Sequence, residues 1–157
     1  MDPSGYFRFD LDKIAEALGI SQHDTKLYFT DGRRISFLIE RRAVGIMPGS
    51  MLAPSEGSGF DLIDKNGAHW EVRSLTNGGI YFCPSYMVGS GRKFDEFGFL
   101  EKLDDVEGYI VTDISEFPTM PYWIIRYDLV KEWWDSGELG SNSKISRNKF
   151  LSMIKEH

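Results

Sequence analysis

Three charged residues stand close together in the segment Gly59 to Ser74, GFDLIDKNGAHWEVRS: Asp61, then Glu71, then Arg73. Asp61 lies in a short apolar run, Phe60 to Ile63. Asp64 to Gly67 carries turn chemistry, and His69 to Leu75 alternates as a strand does. The segment therefore reads as a hairpin. Residues i and i+2 of a strand share a face, roughly 6.6 Å apart. Glu71 and Arg73 then fall on one face, with Trp70 and Val72 on the other. A turn at Asn66-Gly67 brings Asp61 beside Glu71. Two converging carboxylates suit Mg²⁺, which keeps several waters and binds phosphate oxygens. The adjacent cation suits the charge that develops on a phosphate under attack. The plainer alternative is a solvated hairpin with an ordinary Glu–Arg pair.

The elements that must position these residues follow from the rest of the chain. Residues 10–19, DLDKIAEALG, place Leu11, Ile14, Ala15 and Leu18 on one helical face, with Gly19 as a stop. The phrase KIAEALGIS resembles the opening of a helix-turn-helix, but QHDTKLYFTDGRR does not continue it as a recognition helix. Thr25 to Thr30 reads as a short strand. From Asp31 or Ser36 a helix is expected over RRISFLIERRAVGIM, with Ile35, Leu38 and Ile39 inward and Glu40 in its middle; a hairpin turning at Asp31-Gly32 is the alternative. Pro48 to Gly59 is a Gly/Ser/Pro-rich loop of the length that often carries function. Gly78 to Cys83 reads as a third strand. RKFDEFGFLEKLDDV reads as a helix with Phe94, Phe97, Leu100 and Leu103 facing the sheet. Arg92 and Lys93 stand at its start, where a helix N-terminus favours phosphate. Gly108 to Ile114 is the near-continuous apolar run of a central strand. Tyr122 to Tyr127 is the next strand, Asp128 to Trp134 begins a helix, and Ser146 caps a short basic helix at the end. The order helix, three strands, helix, strand, strand, helix predicts an α/β fold with a mixed central sheet flanked by helices.

The hairpin, taken with its flanks, resembles the PD-(D/E)XK nuclease superfamily, and among its members the small type II restriction endonucleases. The likeness rests on Glu56-Gly57 before the aspartate, the turn residues Asp64 and Gly67, and the Glu71, Arg73, Ser74 strand. With the flanking helices and strands it extends over roughly residues 24–134. One departure matters, because Arg73 stands where the superfamily has lysine. The resemblance implies a restriction-endonuclease-like fold. It also implies hydrolysis of DNA phosphodiester bonds by a Mg²⁺-activated water, with Asp61 and Glu71 as metal ligands. Glu40, from the first core helix, is the candidate third ligand. Arg73 acts on the phosphate, and Lys93 takes any lysine function that has moved to the downstream helix. Cutting double-stranded DNA with one site per chain implies a homodimer. A repair, phage or recombination nuclease of the same fold is the alternative, as is a catalytically silent DNA-binding homologue.

Composition bounds these readings. At 157 residues, with 41% hydrophobic and 14% aromatic residues, one domain with a real core is expected. No apolar run is long enough to span a membrane, and the N-terminus lacks the layout of a secretion signal, so the reading is a cytoplasmic protein. The lone Cys83 forms no internal disulfide. A net charge of −6 argues against indiscriminate coating of nucleic acid. DNA contacts would come instead from local patches. The candidates are Arg33, Arg34 and Arg92, and a basic tail with Lys144 and Arg147.

Overall fold

Strand β6 (Val106–Asp113) lies at the heart of a six-stranded mixed sheet in the computed structural model, which describes all 157 residues apart from the side chain of Glu56. That side chain, quoted in the resemblance, lies outside the described residues. The sheet also contains β1 (Gly5–Arg8), β2 (Met51–Leu52), β3 (Leu62–Ile63), β4 (His69–Leu75) and β7 (Thr119–Arg126), in the order β1-β7-β6-β4-β3-β2. β4 and β6 run parallel and every other pair runs antiparallel. A parallel pair needs a crossover, and α4 (Glu96–Asp105) supplies it. The remaining helices are α1 (Leu11–Leu18), α2 (Gln22–Phe29), α3 (Gly32–Ile46), α5 (Tyr127–Asp135) and α6 (Arg147–Lys155). The chain is thus an α/β fold with helices on both faces of a mixed sheet.

Alternation along the strands divides the core in two. Trp70, Val72 and Ile110 pack on one face against Ile35, Ile39 and Ala43 of α3. Leu75, Tyr109, Val111, Trp123 and Ile125 pack on the other, against Phe99 and Leu103 of α4, Val130 and Trp133 of α5 and Phe150 of α6. Gly108 lets β6 pass Trp70, since a β-carbon there would lie 2.8 Å from Trp70 Cζ3. Trp133 is buried in this core and Trp134 packs on Phe94 and Phe99. Their apolar surface is accounted for within the chain.

Several expectations change. Residues 25–29 belong to α2, with Thr30 as its C-cap, rather than a strand: Ser21 caps the start by accepting from Asp24 N, and Thr25 Oγ1 donates back to Ser21 O. The expected third strand, β5 (Ile80–Tyr81), leaves the main sheet and pairs with β8 (Lys144–Ile145) as a separate ribbon. The cause is a tight reversal after β4, closed by paired Thr76 and Gly79 backbone bonds, with Gly79 at φ +107°. In α4 the buried residues are Phe99 and Leu103, and Phe97 points out. The helix begins at the Asp95 cap, whose carboxylate accepts from Gly98 N, and not at Arg92. Phe94, Leu100 and Leu103 of the expected stripe do face the core, and Phe99 takes the place expected of Phe97. No helix among the described residues is long and apolar enough to cross a membrane.

Arg147, a candidate DNA contact, is half-buried and ion-paired. Its guanidinium donates to both oxygens of Asp113 and to Glu116, and these hydrogen bonds to Asp113 raise its pKa above the usual range. Asp113 is buried. Ser115 shares the load by donating its hydroxyl to Asp113 Oδ1. Arg147→Ala leaves that carboxylate short of its cation. We expect a loss of about 3 kcal/mol and a fall in melting temperature of roughly 10 °C by calorimetry. An unchanged melting temperature would return Arg147 to the surface candidates.

Candidate functional site

Strand β4 carries the site on the face opposite α3. Glu71 and Arg73 share this face with Leu75 and with His69 at the strand's start. β3 pairs Leu62 with Trp70 and Ile63 with His69, so the register runs Asp61 up to Glu71. There the ladder frays. The Asp61 carbonyl turns to Ala53 N–H, and the Asp61 carboxylate takes over as acceptor for Val72 N–H at 2.8 Å. Behind the hairpin, Asp64 fixes the turn by accepting from Asn66 N, Ala68 N and Trp70 Nε1. The Trp70 indole bond, more than any other contact, holds the Asp64 carboxyl below the usual carboxylate range.

Glu71 is nearly buried, with 6% of its side chain exposed, and sits between two cations. Arg73 Nη1 donates to its Oε2 at 2.7 Å, and Lys102 Nζ of α4 pairs with its Oε1. The sequence reading missed Lys102. The crossover runs α4 antiparallel to β4, which sets Lys102 on Glu71 and, one helical turn on, Asp105 on His69 at 3.3 Å. His69 also stacks on Phe60, ring centroids 3.7 Å apart. Arg73 is anchored further by donating to Cys83 O. Burial opposes the charge of Arg73, but Glu71 and Asp61 outweigh it, so its pKa lies above the ordinary value.

Asp61 is a quarter exposed, and its Oδ2 lies 3.9 Å from Arg73 Nη1. Burial, then the negative charge of Glu71, push its pKa up to about 7, against Val72 N–H and Arg73. A cleft of about 790 Å³ opens above these residues. Its walls include Glu40 of α3, Tyr86, and Glu101 and Asp104 of α4. A second groove of about 530 Å³ shares Ser36, Glu40, Phe60 and Asp61 with it and runs on to Arg33 and Arg41.

The predicted residues thus divide. Asp61, Glu71 and Arg73 come together, and Glu40 lines the same cleft. Arg33 lines the adjoining groove. Arg34 lies over the Tyr28 ring and 4.0 Å from Asp31. Arg92 is exposed and donates to Ser85 O, beside the cleft. Lys93 is exposed and outside the cleft lining. With Asp95 as the cap, Arg92 and Lys93 precede α4 rather than open it. Lys144 is on the β5–β8 ribbon, over the Tyr81 ring.

The donor set can be weighed for Mg²⁺. Burial, and after it the negative charge of Glu71, hold Asp61 toward its neutral form, and a divalent cation beside the two carboxylates would favour the charged form. Among the described residues no three ligands are gathered tightly. The fit is to a hard ion that takes two carboxylates and keeps its waters. For such an ion to bind, Lys102 would have to release one Glu71 oxygen. The raised Asp61 pKa has a further consequence in metal-free protein. A group raised in the folded state stabilises fully below its unfolded value, near 3.8, and that contribution is lost as pH climbs through about 7. In EDTA, wild type should therefore lose stability between those pH values, while Asp61→Asn, which keeps the Val72 N–H bond, should not. At pH 8 the variant should melt about 5 °C higher, from roughly 2 kcal/mol. Equal melting curves across this range would show that Asp61 is not held toward its neutral form.

Compared with known protein families and with curated proteins, the chain matches no family model and no curated sequence.

Proposed function

We propose that the cleft hydrolyses DNA phosphodiester bonds as a Mg²⁺-dependent endonuclease. The observation that carries this reading is the facing pair Asp61 and Glu71, with Arg73 and Lys102 on the same carboxylate. Asp61 and Glu71 would hold the ion, with Glu40 beside them. When bound, it polarises the phosphoryl oxygen and lowers the pKa of its water. Arg73 cannot give up its proton, so its part is to grip a phosphate oxygen and stabilise the charge formed there. Lys102 adds a second cation, in the place the resemblance had given to Lys93. Phe60 and Asp105, both in contact with His69, belong to the cleft lining. In the type II restriction form of this reading, both strands of a duplex are cut, which requires two copies of the chain.

Purified protein incubated with mixed-sequence DNA and Mg²⁺ tests the proposal. Discrete bands favour the restriction form, and a smear or structure-specific cutting favours a repair, phage or recombination nuclease. DNA that stays intact with folded protein, in both Mg²⁺ and Mn²⁺, favours the silent DNA-binding alternative. The exposed aromatic residues beside the cleft favour the second of these.

A further inference from the structure

The three most exposed aromatic side chains among the described residues are Phe97 at 74%, Tyr86 at 62% and Phe37 at 56%. Two of them, Tyr86 and Phe37, line the cavities that hold the carboxylate pair. Tyr86 lines the cleft, Phe97 precedes the lining residue Gly98, and Phe37 lines the adjoining groove. An aromatic ring left in water is unfavourable unless something covers it, and Tyr86 and Phe37 each rest against a neighbour. A β-carbon on Gly98 would lie 2.7 Å from Tyr86 Oη, so the Tyr86 ring rests close on α4 at this glycine. Arg41 lies over Phe37 at 3.3 Å from its centroid and donates to Phe37 O, which fixes one ring face.

We propose that the joined groove binds a single nucleic-acid strand with unpaired bases, Tyr86 and Phe37 stacking bases on either side of the carboxylate pair. Every base has a flat face, so aromatic platforms read single strands without regard to sequence. Arg33 and Arg41 follow the groove on the Phe37 side, where the backbone of such a strand would run. The opposite wall carries Glu101, Asp104 and Asp105. Those carboxylates, and a net charge of −6, oppose the second row of phosphates that a duplex brings. This inference rests on the nuclease reading for where the strand lies.

Fluorescence anisotropy with a short labelled oligothymidylate, against a blunt duplex of the same length, provides the test. The single strand should bind about 10-fold more tightly. Phe37→Ala and Tyr86→Ala should each weaken it about 5-fold or more, as the loss of one base stack requires. Tyr86→Phe should bind as wild type, and so should Leu27→Ala on α2, an exposed apolar residue away from the groove. Tyr86→Leu, which keeps apolar bulk without a ring, should lose as much as Tyr86→Ala and serves if the alanine variant does not fold. Equal or tighter binding of the duplex, unchanged binding by the ring-deleted variants, or no binding at all would overturn the inference. Hydrolysis of bis(p-nitrophenyl) phosphate with Mn²⁺ separates the two claims, because that ester has no bases. Ester hydrolysis without single-strand preference sinks the strand inference alone. Ring-dependent strand binding without hydrolysis of ester or DNA sinks the nuclease reading alone.

Discussion

Asp61→Asn and Glu71→Gln should each lower the rate of DNA cleavage by about 10³-fold or more, because each removes an anionic oxygen set from the proposed ion site. The conservative amides matter for Glu71. It is buried between Arg73 and Lys102, so alanine would leave two cations facing each other without their carboxylate. Losing one partner of such a buried arrangement costs about 3–5 kcal/mol, and an inactive Glu71→Ala protein could simply be unfolded. Glutamine keeps the volume and one acceptor oxygen. For Asp61, asparagine keeps an acceptor for Val72 N–H, which holds the frayed end of β3 on β4. Circular dichroism should show both variants folded. Wild-type-like cutting by either would remove that residue from the ion site.

Lys102→Met should lower kcat by about 10²-fold while leaving KM close to wild type, as expected when a group acts on charge formed in the transition state. Methionine preserves the aliphatic stem through which Lys102 packs. Glu71 keeps its 2.7 Å partner Arg73, so the fold should survive. Lys93→Ala should cut near the wild-type rate, since Lys93 lies outside the cleft lining. Arg73→Lys should retain measurable activity, and Arg73→Ala should lose about 10²-fold. Reversed results, with Lys93 essential and Lys102 dispensable, would mean that the helix presents a different cation to the substrate.

The hairpin was legible because its information is local. Turn residues Asp64 and Gly67 set the register, and strand alternation then put Glu71 and Arg73 on one face with Asp61 across from them. The central strand and the α4 crossover were legible for the same reason, as an apolar run and a helical period. Lys102 was not, because its importance arises from how α4 lies on β4, and no local pattern reports that angle. The α2 segment misled because Tyr28 and Phe29 favour strands, while the Ser21 and Asp24 cap pattern that decides for helix lies upstream. In α4 the stripe was legible at Phe94, Leu100 and Leu103 and missed Phe99 for Phe97, and the start was placed at Arg92 although Asp95 offered the better cap. The pairing of Arg147 was not legible either, because its partner Asp113, at the end of β6, is brought to it only by the fold.

The most direct measurement pairs wild type with Asp61→Asn on supercoiled plasmid and circular single-stranded DNA, each with Mg²⁺ and with EDTA. Wild type should cut only with Mg²⁺, and Asp61→Asn should leave both DNAs intact under either condition. Cutting by wild type in EDTA, or equal cutting by the two proteins in Mg²⁺, would contradict a metal-dependent nuclease built on Asp61 and Glu71.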